Sequence, residues 1–150
     1  MRLKVRVEGL REIEKALMQL KPATAKTVVR KALTKAAEPI AEDMRSKVRV
    51  DQGDLRDSVG VGTKLTRRQR ALHKKGSPVE VFAGAGGLAQ ATTEEFGTLH
   101  VSPHPSLRPA WDAGKMPALE TVKAELTDEI ARRAARAERK AAKAIRAARR

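Results

Sequence analysis

The chain has 150 residues, no cysteine, and 32 Lys or Arg against 18 Asp or Glu, a formal charge of +14. That length fits one domain, and the missing cysteine excludes disulfides and thiolate chemistry. No apolar run reaches the roughly 18 residues of a membrane span, and the opening MRLKVRVEGL lacks the apolar stretch of a secretory signal.

A protein soluble and intracellular where it is made is therefore expected. Phe82, Phe96 and Trp111 are its aromatic residues, with no Tyr. A core poor in large side chains mildly favours an oligomer, which buries further surface.

Residues 2–8, RLKVRVE, alternate apolar and charged, the pattern of a half-buried strand. Gly9 ends it. Leu10, Ile13, Leu17 and Leu20 then recur at helical spacing and predict a short amphipathic helix over 10–20. Lys21-Pro22 separates it from a longer helix over 23–48. One face of that helix carries Val28, Val29, Ala32, Leu33, Ala36, Ala37, Ile40, Met44 and Val48; its alanines imply close packing, and Pro39 should kink or split it.

Asp51-Gln52-Gly53-Asp54 is a turn with Gly53 at positive φ. Leu55 to Val61 reads as a strand, residues 64–77 as a polar loop at a long hairpin tip, and 79–83 as a second strand. AGAGG at 83–87 reads as a flexible turn. Residues 88–96 read as a strand, with Ala-Gln-Ala-Thr-Thr equally able to make a helical turn.

Glu94 to Ala110, EEFGTLHVSPHPSLRPA, is the most constrained stretch of backbone. Gly97 suits a sharp turn, and Pro103, Pro105 and Pro109 each fix φ and remove a donor. A stiff extended arm is expected, delivering the chain into a helix from about Pro109. That helix runs to the end, with Trp111, Met116, Leu119, Val122, Leu126 and Ile130 as its apolar stripe.

Catalytic sets do not assemble. His100 and His104 flank Pro103 in extended chain, so helical ligand geometry does not apply, and no third ligand is spaced for a metal. Asp51, Asp54 and Asp57 lack the terminal Glu of a calcium loop, position 62 being Gly62. Glu94 and Glu95 are adjacent and would face opposite ways on a strand. AGAGG lacks the Lys-Ser/Thr of a phosphate-binding loop. A hydrolase or nuclease has no supporting constellation, and no cofactor or metal is expected.

The strongest physicochemical signal is the C-terminus. Arg132, Arg133, Arg136, Arg139, Lys140, Lys143, Arg146, Arg149 and Arg150 face one acid, Glu138: nine positive charges against one, so +8 of the +14 lies there. These residues are candidate contacts for phosphates or for an acidic partner. With no interleaved aromatic, base stacking is not on offer. A non-specific nucleic-acid-binding protein acting through this tail is the alternative reading of function.

Four segments, in order, carry a resemblance. They are VEGLREIEKAL, then VRKALTKAAEPIAEDMRSKVRVDQGDLRDSV, then EEFGT, then HPSLRPAWD. Together they resemble the neck, or tail-completion, proteins that join head to tail in lambda-like long-tailed bacteriophages. The likeness spans roughly residues 3–125; the Arg/Ala tail lies outside it. Where that family commonly places a Phe before Leu-Arg-Pro, this chain has Ser106. Either Trp111 and Leu107 supply the anchor, or the arm docks more loosely.

The resemblance implies an α+β fold, a small mostly antiparallel sheet with a long N-terminal-half helix packed on it and a long C-terminal helix. It implies one neck-protein domain, read over 1–130; the chain's own charge and helix propensity set 131–150 apart as a basic helical tail. It implies a structural virion protein rather than an enzyme, located at the head–tail junction and made in the host bacterial cytoplasm. The expected partners are further copies of itself in a ring, a hexamer in preference to a dodecamer, the head-closure or connector protein, the tail terminator and packaged DNA, with no membrane. Gly53 and Gly97 would set turns, and Leu55, Arg56 and Ser58 belong to the first turn motif. Glu95, Phe96 and Thr98 would hold a sheet edge or a subunit contact. Pro105, Leu107, Arg108 and Pro109 would form an arm reaching a neighbour.

Overall fold

Two long antiparallel helices form the spine, and small side chains bring them together. A computed structural model describes residues 9–148; the strand expected over 2–8 lies outside the described residues. The elements in order are α1 (Leu10–Met18), α2 (Pro22–Lys47), α3 (Asp54–Asp57), β1 (Gly60–Gly62), α4 (Arg67–Leu72), β2 (Phe82–Gly84), α5 (Ala89–Phe96) and α6 (Leu107–Ala148). The architecture is α+β: α2 packs on a two-stranded antiparallel sheet on one side and along α6 on the other.

The α2–α6 contact follows from residue size. Ser106, just before α6, and Ala110, Gly114 and Ala118 on it recur every fourth residue, so one stripe of its surface is nearly flat. Ala110 is fully buried, and on α2 Ala32, Ala36, Ile40, Ala41 and Met44 are buried in turn. The approach is closest at Gly114, where a Cβ would lie 2.5 Å from Ile40 Cγ1. The register is pinned by Lys31 and Glu129, 4.0 Å apart, and by Lys35 paired with Glu125.

Two apolar clusters sit along this spine. Ile40, Ala41, Met44, Val48, Leu55, Val59 and Ala110 make one, with Leu107, Ala91 and Val61 packed around it. Ile13, Val28, Ala32 and Leu126 make the other, and Leu17, Val122 and Ile130 flank it. Helix α1 exists to close this second cluster, with Ile13 buried on its inner face and Met18 left exposed.

Several expectations are corrected. Pro39 does not split α2, which runs unbroken through it with the proline exposed. Leu55 is in the short helix α3, not a strand, and β1 starts at Gly60. The second strand is Phe82–Gly84, shifted from 79–83, and pairs Gly60 with Gly84, Val61 with Ala83 and Gly62 with Phe82. Residues 64–77 contain α4, started by a capping box in which the Thr66 and Gln69 side chains each accept from the other's backbone N–H.

Residues 89–96 are a helix, as the alternative for Ala-Gln-Ala-Thr-Thr allowed, because Ala91 turns inward onto the first cluster. Glu94 and Glu95 therefore do not lie on a strand, and Glu95 does not hold a sheet edge. Helix α6 begins at Leu107, two residues before Pro109, and its buried stripe is the expected one only in its later half. Trp111 and Met116 are exposed, while Ala110, Val122, Leu126 and Ile130 face the body.

Candidate interface site at the foot of the long helix

Helix α5 ends at Gly97, and everything between it and α6 hangs on two adjacent glutamates. Gly97 has φ +75° and donates its N–H to Thr93 O at 2.7 Å. A Cβ there would meet Val101 O at 2.8 Å and Pro103 N and Cδ at 2.9 Å, so both the φ and the space favour glycine. The loop then folds on itself. Thr98 N–H donates to Val101 O at 2.8 Å, and Thr98 Oγ1 accepts from His100 N–H (3.3 Å) and Val101 N–H (3.1 Å). His104 N–H donates to Glu94 O at 2.7 Å and returns the chain to α5.

Glu95 fastens the start of α6. Its Oε2 accepts from Ser106 N–H and Leu107 N–H, both at 2.9 Å, and its Oε1 accepts from Arg108 N–H at 3.1 Å. These are first-turn amides with no partner inside the helix, and the carboxylate also meets the positive end of the helix dipole. Only 8 % of Glu95 is exposed. Burial pushes its carboxyl pKa up, but the N–H donors of Leu107, Ser106 and Arg108 and the Arg108 charge outweigh that. The net pKa lies below the ordinary glutamate value.

Ser106 answers the question posed by its small size. It is buried, and its own amide belongs to the Glu95 cradle. Leu107 packs on the first cluster, whereas Trp111 is 54 % exposed and belongs to neither apolar cluster of the described residues. The Arg108 guanidinium lies over the Phe96 ring, 4.6 Å from its centroid. Leu107, Arg108 and Pro109 are thus the first turn of α6 rather than part of an arm; the exposed loop ends at Pro105.

Among the polar side chains the loop exposes, it also displays apolar ones. Leu99 is 93 % exposed, with Phe96 and Val101 exposed beside it in sequence. A side chain that costs free energy in water is here held out on a backbone closed by hydrogen bonds.

The first turn motif is built in the same way. Gly53 has φ +92° and opens α3, and Leu55 is buried in the first cluster. Ser58 Oγ donates to Leu55 O at 2.7 Å, while Gly86 N–H donates to Ser58 O at 3.1 Å, tying the end of β2 to this turn. Arg56 stays outside, 3.5 Å from Asp57. The Arg49–Leu55 segment and the Gln90 and Glu94 side of α5 enclose a cleft of about 540 Å³, so the two motifs border one concave surface.

The basic residues divide. Arg133 and Arg132 gather on Glu129, at 3.3 and 3.9 Å. Arg136, Arg139, Lys140, Lys143 and Arg146 are exposed and have no acidic partner among the described residues. Arg149 and Arg150 lie outside the described residues. No group of three or more His, Cys, Asp or Glu among the described residues is placed to hold a metal, and no described helix is long and apolar enough to cross a membrane.

Sequence reasoning missed the Glu95 cradle because the acceptor lies eleven residues ahead of the amides it caps; a capping box is recognised only within four. No curated protein and no solved structure matches the chain. Residues 11–97, more than half of it and ending at the loop glycine, match the family model described as "Bacteriophage HK97-gp10, putative tail-component", and the chain belongs to this HK97-gp10-like family of phage tail components.

Proposed function

We propose that this protein is a structural component of the phage neck, assembling as a homo-oligomeric ring that joins the head connector to the tail. The observation that carries the reading is Leu99, a nearly fully exposed leucine on a loop whose conformation is already closed. Preorganisation of this kind lowers the entropic cost of docking. A loop that meets a different surface of the next copy makes a head-to-tail contact, and such contacts close into a ring when the rotation between copies closes. The family gives the setting, a phage tail component; the cleft beside α5 adds concave surface at the foot of the same loop. The ring would be six-fold, the symmetry of the tail, and its other neighbours the head-closure protein and the tail terminator. The role is structural and not enzymatic.

The test is Leu99→Asp in the full chain. The wild-type protein should form a ring by light scattering with its tail components and appear as a ring in purified particles. The variant should stay monomeric and give headless tails. Its melting temperature should not move, since an exposed substitution away from special features changes stability by about 0.5 kcal/mol or less. A wild-type chain that is strictly monomeric inside purified particles would sink the reading.

A further inference from the structure

We propose that the exposed end of α6 is a binding site for the phosphate backbone of double-helical DNA. Helix α6 is continuous from Leu107 to Ala148, so the boundary expected at residue 130 falls inside one helix. The second cluster ends at Ile130, and from Ala134 to Arg146 every described side chain is exposed. This segment is held by helix propensity alone, with Ala, Arg and Lys among the best formers.

The charges in it are one-sided. Arg132, Arg136, Arg139, Lys143 and Arg146 follow one another at steps of four, three, four and three residues. At about 100° per residue these five and Lys140 fall within an arc of about 120°, and the row is about 21 Å long. Glu138 lies on the far side of the helix, as do Ala134, Ala141 and Ile145. Helix α2 runs antiparallel to α6, so its first turns, with exposed Lys21, Lys26 and Arg30, come to the same end of the molecule.

The composition of that face selects the ligand. Although Arg is common at its hot spots, the core of a protein interface is depleted of charged residues and built around apolar or aromatic anchors. This face has none, since the large apolar residue of the segment, Ile145, points away from it. No aromatic is present for stacking on unpaired bases. A straight row of like charges is complementary to a straight polyanion, and a lone α-helix fits the roughly 12 Å major groove of B-DNA. Binding through phosphates is independent of sequence and strongly dependent on salt. The inference stands whether or not the chain forms a ring.

The experiment is fluorescence anisotropy of a labelled 30-base-pair duplex titrated with the full-length protein between 50 and 200 mM salt. Arg136, Arg139, Lys140, Lys143 and Arg146, without acidic partners among the described residues, predict a slope of log K against log salt of about −4.5 per chain. The variant R136Q/R139Q/K143Q/R146Q keeps good helix formers and should flatten the slope by about 3.6. A charge-matched control, K64Q/R67Q/R68Q/R70Q in the β1–β2 connection, should leave it within one. Equal losses in the two variants would reduce the effect to net charge and overturn the site. Failure to bind the duplex at 50 mM salt, or tighter binding of poly-glutamate than of the duplex, would overturn it in favour of an acidic protein partner.

Discussion

The two ends of α6 are made of similar residues and are held by different forces. At its start, Ala110, Gly114 and Ala118 lie against α2, and the first amides are satisfied by a glutamate from another helix. At its end, alanines are as frequent, yet nothing described packs on them. Alanine composition therefore says nothing about burial. Position does: a small residue opposite Ile40 makes a helix contact, and the same residue beyond Ile130 makes only helix. One half is specified by tertiary structure and the other by propensity, which is why only the second is available to a soluble ligand.

The contrast breaks most strongly at Glu95. Glu95→Ala leaves three first-turn amides without their acceptor and detaches the 97–105 loop from α6. A loss of about 3 kcal/mol is expected, at the upper end of the cost of unsatisfied buried donors, read as a lowered urea midpoint. Glu95→Gln keeps shape but loses charge, and about 1.5 kcal/mol should go. The folded-state pKa of Glu95 is depressed. Its contribution is thus complete above the ordinary glutamate value of about 4.3 and is lost as pH falls through the lower folded value. In Glu95→Gln that acid-side loss should be smaller than in the wild type. An identical acid profile in both would show that the cradle does not depend on the charge.

Gly114 is the next point to break. In an exposed helix Gly→Ala gains about 1 kcal/mol. Here the new methyl would sit 2.5 Å from Ile40 Cγ1, in a buried contact between helices. Overpacking of this kind costs about 1–3 kcal/mol, so a net loss of about 1 kcal/mol is expected. Ile40→Ala removes the opposing atom and opens a cavity on its own. The double variant should therefore be more stable than the two single effects predict, a coupling of at least about 0.5 kcal/mol. Additive effects would mean that the helices part easily and that Gly114 is not a contact.

Much of this spine was legible in the sequence. The period of Val28, Ala32, Ala36, Ile40 and Met44 placed α2 and its buried face, because a helix face repeats within one segment. Gly97 was legible as a turn because its neighbours allow little else. The sheet was less so: Leu55 has the composition of a strand, but Gly53 at positive φ starts a helical turn, and Ser58 closes it through Leu55 O. The α5 helix was left open because its anchors, Ala91 inward and Glu95 to α6, depend on partners distant in sequence. Trp111 shows the reverse error. Size alone suggested burial, yet the α6 face that meets α2 must be small, and that excludes the largest side chain in the protein.

One substitution, Ala→Gly, can be made at both ends of α6, and at the far end it should leave global stability unchanged. Ala118→Gly removes a methyl packed against the first cluster and also lowers helix propensity. It should lower global stability by about 1–2 kcal/mol. Ala141→Gly carries the same propensity cost of about 1 kcal/mol, but it falls where no described residue packs. That cost is confined to a segment that opens on its own, so the melting temperature should not change. Amide exchange over residues 136–146 should instead quicken about fivefold, the factor that 1 kcal/mol represents. Equal melting losses at the two positions would mean that the tail folds as one unit with the body, through a partner surface this contrast does not contain.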